Sequence, residues 1–418
     1  MDRALLRWWD GRRPPAPQHK GITMLLPGRR RRGLFVRTTV AGIVMAVAAG
    51  AAAASADAGA ESAAATERRP ADQLQRLVDA VHDTGTVGVS AESTSPDARN
   101  RARAGTAEQG TGRPMPWDGR FRIGSATKTF TAAVVLQLVG EGEMSLDDTV
   151  EHWLPGVVQG NGNDGSQVTV RQLLQHTSGI PDVLAEIPAL NTADGYRAER
   201  YRDYTAEELV ALAMRQTREF PPGTDWSYSN TNYVLAGMII HEVTGRSWAQ
   251  EVNSRIIRPL DLADTSTPTT FPFVRGPHAH GYAAFGTDTT IDVTELNPSM
   301  AVASGSIIST THDLNRFYAA LLDGRLLEPA EVDALTATVP APELDPARYG
   351  LGLAEIPLSC GGSYYGHRGE LLGYTTWVGV TPDGARTGTV YVTGDGSQDT
   401  QSAMMTLVDQ ELCRSGAS

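Results

Sequence analysis

The 418-residue chain changes texture twice along its length, and this limits the architectures open to it. Near the start of the body, Leu74, Leu77, Val78 and Val81 recur at helical spacing and predict a helix over 71–82. Residues 86–92 and 101–108 then read as two strands joined by a turn-rich loop. A long helical stretch follows. It opens at 126–141, with Phe130, Val134 and Leu138 on one stripe, and continues through 168–176, 206–216, 232–244, 248–257 and 313–322. Beyond about residue 349 short strands return at 351–355, 363–365, 374–380 and 388–392, separated by Gly, Pro and Asp. A last helix is predicted over 401–413, with Met404, Leu407, Val408 and Leu412 on one face. Strands at both ends with helices between them predict an α/β (α+β) fold. Its antiparallel sheet draws on both ends of the chain, terminal helices flank it, and an all-helical region is inserted. The expected organisation is a single domain over 71–414, with 71–122 and about 295–414 forming the sheet part and about 123–294 the helical part.

The amino end reads as an address. Residues 1–37 are basic and Pro-rich, and an uncharged Ala-rich run follows over 38–54. Ala54-Ser55-Ala56 then fits a small-x-small cleavage pattern. A basic region, an apolar region and that site predict an export signal over 1–56, cleaved near Ala56, with a linker over 57–70. The alternative is an uncleaved anchor, for which a run of mostly alanine is marginal. Arg31-Arg32-Gly33-Leu34-Phe35 loosely resembles a twin-arginine signal, and Met24 is an alternative start. The expected location is extracellular, on the cell-wall side, with no stable membrane insertion once the signal is cleaved. Only two cysteines occur, Cys360 and Cys413. In an exported protein they are expected as a disulfide, contributing about 4 kcal/mol on the chain-entropy model; two buried free thiols are the alternative.

Without its first 56 residues the chain carries 26 basic and 46 acidic residues. So acidic a body argues against nucleic acid and against anionic lipid as partners. The basic residues are almost all arginine, with Lys20 and Lys128 as the two lysines. Arginine replaces lysine as a solvated cation but not where a proton must leave, because guanidinium stays protonated. Lys128 is therefore either an accident of compositional bias or a functional amine.

Its context decides between these. In Arg122-Ile123-Gly124-Ser125-Ala126-Thr127-Lys128, Ser125 stands where a helix begins and Lys128 stands one turn along. A partly desolvated lysine there can take the proton of the serine hydroxyl; the plain alternative is a serine cap with a solvated lysine. Tyr228 and Asn230 alternate in a loop leading into a helix and could share a cleft. Tyr365-Gly366-His367-Arg368-Gly369-Glu370 ends one strand, where Gly369 would let a substrate backbone approach and His367 would supply a donor.

Ser-x-x-Lys, Tyr-x-Asn and His-x-Gly in this order resemble the active-site boxes of the β-lactamase-related serine hydrolases. That family includes serine DD-peptidases (penicillin-binding proteins), class C β-lactamases, and related esterases and D-amino-acid peptidases. The resemblance covers about residues 72–412. It extends to Val170 through Gly179, Tyr228 through Gly237, and Ala303 through Thr310. His-x-Gly in the third box, and a cysteine pair bracketing it, resemble the exported actinobacterial DD-carboxypeptidases.

The resemblance implies a β-lactamase/transpeptidase-like fold and an acylated nucleophile at Ser125. Lys128, with Tyr228, handles its proton. Asn230 orients the substrate amide, the N–H groups of Ser125 and Glu370 form the oxyanion hole, and His367 takes the place of the third-box cation. The implied activity is D-alanyl-D-alanine carboxypeptidase, with a class C-like esterase or β-lactamase, or a non-turnover penicillin-binding sensor, as alternatives. The implied partner is a small peptide or β-lactam substrate, the expected state is a monomer, and no cofactor or metal is implied.

Two residues depart from the family pattern. Arg368 stands where a small hydroxyl residue is usual, and could clamp a substrate carboxylate. Glu370 stands where Thr, Ser or Ala is usual, and would weaken that clamp by pairing with Arg368 or would repel the carboxylate. Two competing sites are weak: His278-Ala279-His280 lacks further metal ligands, and His176 in a Ser-His-Asp triad is less expected than His176 as a helix cap.

Overall fold

The computed structural model describes residues 70–414, apart from Asp288 and Asp395. The expected export signal and nearly all of the linker lie outside these residues. Helix α1 (Pro70–His82) leads into a hairpin of β1 (Gly88–Ser95) and β2 (Ala98–Gly105). The short β3 (Phe121–Arg122) precedes α2 (Thr127–Gly140). The helical region includes α3 (Thr231–Thr244) and returns to the sheet through β4 (Ile308–Ser309) and α4 (Thr311–Leu322). Strands β5 (Val339–Pro340), β6 (Arg348–Tyr349), β7 (Ala354–Pro357), β8 (Ser363–Leu371), β9 (Tyr374–Val380) and β10 (Thr387–Thr393) follow, and α5 (Gln398–Leu412) comes last.

Eight strands form one antiparallel sheet in the order β2-β1-β10-β9-β8-β7-β6-β5. The amino-terminal hairpin thus closes against the last strand, Gly88 opposite Thr393 and Thr94 opposite Thr387. Helices α1 and α5 cover one face, where Leu74, Val78 and Val81 meet Met404, Leu407 and Val408 over Val89, Val390 and Val392. Each such side chain, fully buried, contributes roughly 1.5–3 kcal/mol. A second core holds α2 and α3. The Cys360–Cys413 disulfide ties the β7–β8 turn to the end of α5. Among the described residues no helix is long and apolar enough to cross a membrane.

Three local readings change. The β1–β2 turn is only Pro96-Asp97, tighter than expected, because the alternating Arg99, Arg101 and Arg103 of β2 mimic a polar loop. Helix α2 is not amphipathic: residues 127–136 and Leu138 are all buried, which makes it the central helix of its core. Strand β8 does not stop near Tyr365 but runs to Leu371, so the third box lies inside the sheet. Its glycines resemble a turn in sequence, yet Gly366 serves close strand packing, since a Cβ there would fall 2.0 Å from the Val378 carbonyl.

Candidate active site

Strand β3 pairs with β4, and the Ile123 N–H donates to the Ile307 carbonyl at 3.0 Å. The chain then turns at Gly124, whose φ of +52° favours glycine, and enters a 3₁₀ turn, Gly124–Ala126, that feeds α2. Ser125 sits in this turn, half-buried between buried neighbours. The N-cap position of α2 belongs to Ala126, which makes no side-chain cap, so the plain reading of Ser125 as a helix cap does not hold.

Lys128 is fully buried, and its Nζ lies 3.1 Å from Ser125 Oγ, 2.6 Å from Asn230 Oδ1 and 2.9 Å from the Ser304 carbonyl. Burial pushes its pKa down to about 7, although Asp182 pulls it up. As a neutral amine it has two N–H groups for Asn230 and Ser304, which leaves its lone pair to face the serine hydroxyl. Burial drives the Tyr228 phenol far above the ordinary range, although the nearby Ser125 hydroxyl pulls it down. At neutral pH the site therefore holds a protonated phenol and an amine poised to titrate.

His176 lies behind Tyr228, their ring centroids 4.2 Å apart. It closes the helix Val170–Gln175 in a left-handed conformation, φ +63°, as a helix cap would. Its Nδ1 accepts the Ser229 N–H at 3.1 Å. This ring holds up the tyrosine loop and is not aimed at Ser125 as a triad base. His280 pairs with Asp292 at 2.6 Å, and among the described residues no group of three or more His, Cys, Asp or Glu side chains could hold a metal ion.

Three placements in the third box bear on the reading from sequence. His367 is buried, and desolvation beside Lys128 lowers its pKa to about 3, so a neutral histidine stands at the place of the third-box cation. Its Nδ1 donates to the Arg368 carbonyl, and its Nε2 accepts from Tyr349 Oη at 2.9 Å. Gly369 makes room for the nucleophile turn: a Cβ would lie 1.8 Å from the Ile123 carbonyl. A Cβ on Gly124 would in turn lie 2.4 Å from the Glu370 nitrogen, so the segments carrying the two expected oxyanion donors meet backbone to backbone. Finally, Arg368 pairs with Glu370, the guanidinium 2% exposed and the carboxylate 56% exposed.

Asn230 was expected to orient a substrate amide. Its carboxamide is engaged at both ends, accepting from Lys128 and donating to Asp182 at 3.1 Å. Asp182 also accepts the backbone N–H of Asn230 at 3.1 Å and of Leu184 at 3.2 Å, and burial raises its pKa. Sequence reasoning missed Asp182, and likewise gave no role to Ser304. The one available signal was a lone acid in the apolar loop Gly179-Ile180-Pro181-Asp182-Val183-Leu184. Because the Asp182 charge favours protonated Lys128, removing it lowers the pKa of the lysine. An Asp182→Asn variant is expected to shift the acid limb of the kcat/KM profile below its wild-type position near pH 7. Loss of placement should lower the plateau by roughly 10²-fold. An acid limb at unchanged or higher pH would show that Asp182 does not act through Lys128.

The beta-lactamase family model matches residues 42–410. Among solved structures, a D-stereospecific amidohydrolase from Streptomyces sp. is 41% identical with a TM-score of 0.76, covering 83% of this chain and 99% of that one. D-amino acid amidase from Ochrobactrum anthropi SV3 is 29% identical with a TM-score of 0.69, covering 80% of this chain and 97% of that one. Penicillin-binding protein 4* of Bacillus subtilis (strain 168) is 28% identical over 285 residues, 65% of this chain, and the match spans 60% of that relative's length. Fold, motif order and family match agree, and the chain belongs to the beta-lactamase family of serine hydrolases.

Proposed function

We propose that this chain is an exported serine amidohydrolase that cleaves amide and ester bonds on the carbonyl side of D-residues through an acyl-enzyme. The observation that carries the reading is the three-way placement of Lys128 Nζ against Ser125, Asn230 and Ser304. Ser125 Oγ attacks the carbonyl and its proton passes to Lys128. The N–H groups of Ser125 and Glu370 hold the developing oxyanion. Collapse breaks the bond to the leaving nitrogen or oxygen, which takes a proton through Tyr228. Water then attacks the Ser125 ester, Lys128 again accepting a proton; collapse breaks the bond to Ser125 Oγ, which takes that proton back as the acid leaves. Penicillins should acylate the same serine. The names of the two solved relatives support D-specificity; the basic and apolar leader and the Cys360–Cys413 disulfide support export.

The D-alanyl-D-alanine carboxypeptidase expected from the sequence is the second reading, favoured by the Arg368 guanidinium whose charge is felt by Tyr228. The test compares D- and L-phenylalanine amide with diacetyl-Lys-D-Ala-D-Ala, following release of the amine by chromatography. The proposal expects the D-amide to be hydrolysed faster than the L-amide by roughly tenfold or more. Equal rates, or preference for the L-amide, would refute D-specificity; release of D-alanine at a higher kcat/KM than either amide would establish the second reading.

A further inference from the structure

Glu370 and Arg368 stand two residues apart on β8 and so share one face of the strand. The guanidinium is 2% exposed, and so buried a cation needs an anionic partner. Glu370 supplies it while the carboxylate stays 56% exposed at the surface. The pair lies beside the chemistry. The Glu370 nitrogen abuts Gly124, next to the nucleophile. Arg368 and Glu370 flank Gly369, and a Cβ on Gly369 would lie 1.8 Å from the Ile123 carbonyl and 3.2 Å from the Ala126 nitrogen, so the pair borders the turn that carries Ser125. The far end of a leaving group would thus come to rest near Arg368.

We infer that Glu370 is a built-in occupant of a carboxylate site on Arg368, and that it bars leaving groups ending in a free carboxylate while admitting amides and esters with an uncharged end. This inference rests on the acyl-enzyme reading above. A terminal carboxylate would have to displace Glu370 from the guanidinium and then sit beside the displaced like charge. An uncharged end need do neither. Glu370 is therefore the specificity-determining residue between the two activities weighed above.

The test uses two substrates cut at the same bond, diacetyl-Lys-D-Ala-D-Ala and its C-terminal amide. It reads the ratio of kcat/KM for the acid to kcat/KM for the amide in the wild type, Glu370→Gln, Glu370→Thr and the double variant Glu370→Thr/Arg368→Met. The glutamine keeps an acceptor for the buried guanidinium, so a folding defect in the threonine variant does not decide the outcome. The ratio is expected to rise by about tenfold or more in both single variants and to fall back in the double variant. An unchanged ratio in both single variants would overturn the inference while leaving the acyl-enzyme reading intact. So would a rise that survives loss of Arg368, because simple charge repulsion would then account for it. A wild type that forms no acyl-Ser125 with either substrate would overturn both.

Discussion

Replacing Lys128 with arginine is expected to slow acylation of Ser125 by about 10³-fold or more. The substitution keeps a cation and hydrogen-bond donors in place, so it isolates the one property arginine lacks. A guanidinium has no lone pair to offer and does not deprotonate at accessible pH. In the wild type, burial lowers Lys128 to about 7, so the free amine is within reach at neutral pH. The arginine variant should have none. The check is the burst of p-nitrophenol released from a D-aminoacyl p-nitrophenyl ester, with thermal melting to show that the variant is folded. A burst rate within tenfold of the wild type would remove Lys128 from the role of proton acceptor.

Gly369→Ala is expected to have the second large effect, for a reason that has nothing to do with charge. The added Cβ would lie 1.8 Å from the Ile123 carbonyl and 3.2 Å from the Ala126 nitrogen. Both are backbone atoms flanking Ser125, so neither can swing aside, and β8 must retreat from the nucleophile turn. That retreat separates the Glu370 N–H from Ser125. A displacement of about 1 Å should cost on the order of 10²-fold in acylation, with about 1–3 kcal/mol of stability lost to overpacking. Gly388→Ala in β10 is the control, because its nearest neighbours would be at 3.9 Å. Penicillin labelling rates and melting temperatures of the two variants check this. Equal labelling would mean that the contact does not position the oxyanion donors.

Much of this was written in local pattern. Helical and alternating periodicities located most of the larger elements to within a few residues, and the strands at both ends of the chain led to one antiparallel sheet. That Ser125, Lys128 and Tyr228 come together was legible in residue type, spacing and order. What escaped was non-local. Nothing around His367 in sequence says that burial beside the Lys128 charge will hold it neutral or that Tyr349 will bond its ring. The packing of the nucleophile turn against Gly369 was hidden because that turn lies more than two hundred residues earlier. Asp182 belongs to a loop with no motif, and only the fold sets it under Asn230. The pairing of Arg368 with Glu370 was one of two alternatives open in the sequence, and choosing between them needed the shared face of β8.

The central claim is that Ser125 carries the acyl group. Trypsin cuts after Arg122 and after Lys128, which places this serine in the short peptide 123–128. The deciding measurement is mass spectrometry of that peptide after the protein has reacted with a penicillin. The account predicts a penicilloyl mass on Ser125 in the wild type and none in Ser125→Ala. A label mapped to another residue, or one that persists in Ser125→Ala, would contradict it.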